Sequence, residues 1–142
     1  MSETVVLDVE LKSPIERVWQ TLTDSATLAK WMLFKSNDFR PIVGHTFQFR
    51  ESPGWSGVVD CEVIEVDEPN RLSYTWTSDQ LGPSNLQYST VVTWTLSESE
   101  AGVTQLHLEQ SGFPNEAKQE IGGARYGWTN MLDQLQGVLA TG

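Results

Sequence analysis

The chain is short of several things, and each shortage excludes something. Its 142 residues hold a single cysteine, so no disulfide can form within it, and a reducing compartment, the cytoplasm, is the expected setting. Cations are scarce, with 9 Lys and Arg against 19 Asp and Glu and a formal net charge of −10. A domain this acidic has no general attraction for nucleic acid or anionic lipid, which removes both from the expected partners. No apolar run approaches the ~18 residues of a membrane span. Met1-Ser2-Glu3-Thr4 likewise lacks a basic region leading into an apolar one. Neither GxGxxG nor GxxxxGK[ST] occurs, so Gly122-Gly123-Ala124 and Gly127 make no phosphate loop. Nothing has metal-ligand spacing, and no cofactor is called for. Repeats, low-complexity tracts and linkers are also missing, so one domain over residues 1–142 is expected.

What the chain does have is rings: 6 Trp, 5 Phe and 3 Tyr, spread along its length. Their placement follows from the hydrophobic pattern. Val5, Leu7, Val9 and Leu11 alternate with polar positions and predict a strand that stops at Ser13-Pro14. Ser13-Pro14-Ile15-Glu16 has the chemistry of a capping box, with Ser13 as cap and Pro14 at the first helical position. Ile15, Val18, Trp19 and Leu22 then supply a helical face, and Asp24 or Ser25 caps a second short helix carrying Leu28, Trp31 and Met32. Strands follow. Phe47 and Phe49 share one face, as do Leu72, Tyr74 and Trp76 after the turn at residues 68–71, and then Val92, Trp94 and Leu96. Between 57 and 67 both parities carry apolar residues, which predicts a strand partly covered on both faces. Gly82-Pro83 marks a longer loop, and a hairpin at 99–102 leads to Thr104, Leu106 and Leu108.

The period then changes. Ile121, Ala124, Trp128, Met131, Leu132, Leu135, Val138 and Leu139 recur every three or four residues, predicting a long amphipathic helix over 116–140. Gly122-Gly123 weakens its start, and the helix is expected to fray, kink or begin late there. The whole reads as α+β: a curved antiparallel sheet of about six strands, two short helices between the first and second strands, and a long C-terminal helix.

Several stretches, in order, carry a family resemblance. They are Ser13-Pro14-Ile15-Glu16-Arg17-Val18-Trp19, Leu28-Ala29-Lys30-Trp31, Val43-Gly44 before Phe47, and Glu68-Pro69-Asn70-Arg71-Leu72. Val92-Thr93-Trp94, Gly102-Val103-Thr104-Gln105-Leu106, Ser111-Gly112-Phe113 and Gly127-Trp128 continue the series. The set resembles the SRPBCC (START/birch-pollen-allergen-like) superfamily, in the branch related to the activator of the heat-shock-protein-90 ATPase. The resemblance implies a helix-grip fold with an apolar cavity between sheet and C-terminal helix, and no shared catalytic set. His45 stands where members often carry a second glycine. The family's co-chaperone members have a separate N-terminal domain that engages the chaperone, and 142 residues leave no room for one, so a chaperone partner is not expected.

Ring by ring, ordinary core packing accounts for the aromatics; as a set they describe the lining of a cavity. The candidate ligand-binding residues are Phe47, Phe49, Tyr74, Trp76, Trp94, Trp128 and Met131 inside, with Gln110 as a polar group among them. Trp31, Phe34 and Phe39 stand at the mouth, and Trp55, between Pro53-Gly54 and Ser56-Gly57, is a lid. The binding of a small hydrophobic or aromatic molecule, in stress response or metabolism, is the leading expectation. A cyclase- or hydrolase-like enzyme using His45, Glu51, Tyr74 or Gln110 is the second, and an interaction protein, homodimeric or chaperone-associated, the third. His107 belongs on an outer face with Gln105 and Glu109. Cys61 reads as an inert core residue, and the acidic residues between Asp60 and Glu68 as a solvated surface.

Overall fold

The computed structural model describes residues 2–53 and 57–141. The first strand, β1 (Ser2–Leu11), buries Val5 and Leu11 and turns its even-numbered residues outward, as its alternation requires. Helices α1 (Ile15–Thr23) and α2 (Ser25–Trp31) follow, then β2 (Ser36–Asn37), β3 (Thr46–Arg50), β4 (Val59–Asp67), β5 (Arg71–Ser78), β6 (Thr90–Glu100) and β7 (Val103–Pro114). The chain ends on α3 (Lys118–Thr141). The strands form one seven-stranded antiparallel sheet in the order β1-β7-β6-β5-β4-β3-β2, with β1 brought back beside β7. This is the helix-grip arrangement, and the strand beyond the expected six is the two-residue β2 paired with Arg50 and Phe49.

Three local readings are corrected. Ser13 does not cap α1. Pro14 occupies the cap position without a side-chain bond, while Ser13 is buried and its carbonyl accepts from Thr104 Oγ1 at 2.7 Å. The expected box is replaced by a tie between the α1 start and β7. Asp24, by contrast, does cap α2, accepting from Thr27 N at 3.0 Å. In β4 the mixed parity comes from an irregularity between Val63 and Glu65, not from two covered faces. Val59, Cys61 and Val63 are buried, Ile64 is exposed, and beyond the shift Val66 packs back against the core. Finally, α3 runs unbroken through Gly122-Gly123 from Lys118 onward, because its apolar face docks on the sheet and short helices.

The core lies between the sheet and the helices. Trp31, Trp94, Trp128, Tyr74 and Phe49 are among its largest fully buried side chains. Trp31 meets Trp94 edge-on at 5.9 Å, and Trp94 meets Trp128 of α3 at 5.5 Å, so rings join α2, β6 and α3.

Candidate functional site

The face of α3 that carries Trp128 and Met131 also carries Gly123, Ala124 and Gly127. Gly123 and Gly127 are four residues apart, on one face of the helix, so the stripe lacks side chains where the helix passes the ends of β5, β6 and β7. A Cβ built at either glycine meets nothing within 4 Å. The space left is a cavity of about 330 Å³, inside the size range of small-molecule sites. Trp76, Trp128, Phe34, Phe113 and Tyr88 give it aromatic walls, Met131 and Ala124 add aliphatic ones, and the segment after β5 contributes Leu81, Gly82 and Leu86. Leu33 and Leu81, 47% and 53% exposed, form an apolar rim at its opening.

A buried polar chain fixes the inner wall. Trp128 Nε1 donates to Gln110 Oε1 at 2.7 Å, Gln110 Nε2 donates to Thr90 Oγ1 at 2.9 Å, and Thr90 Oγ1 donates to the Trp76 carbonyl at 3.1 Å. The donor at each step sets the orientation of the next group, so the Gln110 amide has one satisfactory placement. Trp76 and Trp128 face each other at 5.3 Å with their planes inclined by 55°. Across the cavity, Tyr88 packs on Phe113 at 5.8 Å. Burial pushes the Tyr88 phenol above its ordinary value, and the nearby Glu120 carboxylate pushes it further in the same direction. Glu120, in the first turn of α3, accepts from Ser84 N at 3.2 Å and from Ser84 Oγ through Oε2, and so holds the covering segment down.

The sequence-derived candidates divide between this cavity and the packed interior. Phe34, Trp76, Gln110, Trp128 and Met131 line the cavity. Trp31, Phe39, Phe47, Phe49, Tyr74 and Trp94 are buried in the core cluster and lie outside the lining. Trp31 Nε1 donates to the Thr21 carbonyl at 2.8 Å, and Trp94 Nε1 to Tyr74 Oη at 3.0 Å, so these indoles are satisfied within the protein. Trp55 lies outside the described residues. The four polar groups considered for an enzyme are scattered. Gln110 alone lines the cavity; His45 Nε2 is engaged with the Asp38 carbonyl at 2.8 Å, and Glu51 is exposed. Burial drives the Tyr74 phenol well above its ordinary value and so keeps it neutral, with the bond from Trp94 acting in the opposite direction.

Cys61 is buried, and its surroundings drive its thiol far above the ordinary value, burial first and Asp60 and Asp38 after it. Its thiol is therefore unreactive. Among the described residues no group of three or more His, Cys, Asp or Glu is placed to hold a metal ion, and no helix is long and apolar enough to cross a membrane. Sequence reasoning missed Leu33, Leu81, Tyr88, Phe113, Glu120, Gly123 and Gly127 as lining. The glycines on one helical face were the readable signal.

The fold is that of a helix-grip domain, and the comparisons with known proteins agree with that fold. The chain matches the family model of the Activator of Hsp90 ATPase homolog 1-like protein over residues 12–140, and it belongs to that family. The resemblance drawn from the sequence motifs is thereby borne out. Among solved structures, the protein MLL2253 from Mesorhizobium loti is 37% identical, with 98% of each chain covered and a TM-score of 0.88. Protein BH1534 from Bacillus halodurans is 28% identical over 96% of each chain, with a TM-score of 0.73. DynU16, a protein of the dynemicin biosynthetic locus, is 25% identical over 97% of this chain and 47% of its own, with a TM-score of 0.80. A comparison with curated proteins gives no match.

Proposed function

We propose that this protein binds a small hydrophobic or aromatic molecule in the cavity between the ends of β5–β7, the segment covering them, and the glycine stripe of α3. The observation that carries the reading is the cavity itself: about 330 Å³ beside helix positions that have no side chains, with the Trp128 ring fixed by a buried hydrogen-bond chain. A core under no demand to hold a guest fills such space, because each unfilled methylene-sized gap forfeits stability. The partner is therefore a small molecule, and the exposed leucines at the rim give it an entry. The likeness to DynU16, from a biosynthetic locus, supports a role near small-molecule metabolism. The cytoplasmic setting expected from the lone cysteine is part of the same reading.

The test is thermal unfolding and Trp fluorescence with a panel of hydrophobic compounds, on wild type and on Gly127→Leu. A ligand of the native state raises the melting temperature with concentration. Binding to wild type that is lost in Gly127→Leu supports the reading. A panel in which no compound shifts wild type, or shifts both proteins equally, overturns it.

A further inference from the structure

The charges around the cavity say which guests it can take. Among the described residues its lining holds no lysine, arginine or histidine, and Glu120 is its one acidic side chain. That carboxylate serves the wall. Its Oε2 takes both donors of Ser84, the backbone N–H and the hydroxyl, and its Oε1 is buried, out of reach of water and of a guest alike. Glu120 therefore gives a guest no direct ion pair, while its charge still acts nearby.

The remaining polar groups of the lining are neutral, and most are already paired. Gln110 is committed to Trp128 and Thr90, and Thr90 to the Trp76 carbonyl. Thr77 Oγ1 shares a hydrogen bond with Ser89 Oγ at 2.6 Å, and Ser78 Oγ donates to the Gln80 carbonyl at 2.9 Å. The Tyr88 hydroxyl has no hydrogen-bond partner among the described residues, but burial first and Glu120 second raise its pKa, so it stays a neutral phenol. At the opening the rim is Leu33 and Leu81, which supply no counter-ion either.

Resting on the ligand-binding reading above, we propose that the cavity selects an uncharged aromatic guest and rejects ions of both signs. An ion brought beside Trp76 and Trp128 gives up its hydration and finds no opposite charge to replace it. The two signs are not rejected equally. A carboxylate also meets the like charge of Glu120 and the net charge of −10, whereas an ammonium is drawn by both. The ring faces offer an ammonium some further return. The expected order is neutral, then cation, then anion.

The experiment is calorimetric titration at neutral pH with naphthalene and two pairs matched in heavy atoms. The pairs are naphthamide with naphthoate, and naphthylmethanol with naphthylmethylamine. On wild type, naphthoate is expected to bind at least about tenfold more weakly than naphthamide, and the amine more weakly than the alcohol by a smaller factor. The variant Gln87→Lys places a cation at an exposed position of the lining. It is expected to strengthen naphthoate and weaken the amine, with both neutral partners unchanged. Either ion binding wild type as tightly as its neutral partner overturns this inference while leaving the ligand-binding reading intact. So does a Gln87→Lys protein in which neutral and ionic probes shift together. Failure of every probe to bind wild type overturns both.

Discussion

The interior around Trp94 and the interior around Trp76 are built from the same kinds of residue and reach different ends. Around Trp94, the rings of Trp31, Trp128 and Tyr74 close on the indole, and Trp31 and Trp94 are each 1% exposed. Around Trp76, two positions along the β5 face from Tyr74, equally large rings stand opposite Gly123 and Gly127, and a cavity of about 330 Å³ remains. The composition of the sheet face does not separate the two regions. What separates them is the surface packed against it, bulky α2 and α3 side chains in one case and a bare helical stripe in the other. Trp128 belongs to both, touching Trp94 on one side and Trp76 on the other. An aromatic count therefore cannot tell a core from a pocket; the opposing residues decide.

The contrast can be broken most forcefully in the closed region. Trp94→Ala removes a fully buried indole and strips Tyr74 Oη of its donor, and it is expected to destabilise the fold by about 3–5 kcal/mol in urea denaturation. Trp76→Ala, beside existing empty space and partly exposed, is expected to cost less than half as much. Equal losses would mean that the two regions are packed alike. Trp128→Phe keeps most of the ring but leaves Gln110 Oε1 buried without its donor, at an expected cost of about 1–3 kcal/mol by the same measurement.

Smaller effects sharpen the comparison. Gly123→Ala adds a methyl where nothing lies within 4 Å and relieves a helix of a glycine, so a stability gain of up to about 1 kcal/mol is expected. A loss would show that the stripe is needed by the fold rather than by the cavity. On the outer face, far from either region, His107 lies between Glu109 Oε1 at 2.9 Å and Asp8 Oδ1 at 2.6 Å. The bond to Glu109 first and that to Asp8 second raise its pKa above the ordinary 6.5. A raised folded-state value means the imidazolium contributes stability that is fully present below pH 6.5 and is lost as pH rises through the folded value. NMR titration of the imidazole is expected to give a midpoint above 6.5, with both carboxylate contacts needed for the full shift. The effect is small because the pair is open to solvent.

The architecture was largely legible because it rests on periodicity. Alternation in β1, β3 and β5 and the helical spacing from Ile121 to Leu139 follow from which faces must be buried. Where local and tertiary demands compete, the reading failed. Ser13 has ideal capping chemistry, yet its neighbourhood is taken by Thr104, and a residue pattern cannot show a partner 91 positions away. The shift in β4 appears in the sequence only as a confusion of parity. The site was legible in half. Strand parity placed Trp76 and Gln110 on the inner side and helical spacing placed Trp128 there, but the same parity placed Phe47, Phe49 and Trp94 inside, and nothing local distinguishes a ring that faces glycine from one that faces tryptophan. Glu120 was invisible for a similar reason: its meaning comes from Ser84, which only the folded chain brings to it.

The central claim is that the Trp76 region receives a guest and the Trp94 region does not. The two methionines within the described residues report on it directly, since Met131 lines the cavity and Met32 is buried in the core cluster outside the lining. Methyl NMR of selectively labelled methionine, titrated with naphthalene, reads both at once. The account predicts a saturable ring-current shift of the Met131 methyl and little change at Met32. A shift at Met32 with Met131 unmoved, or no saturable shift at either, would contradict it.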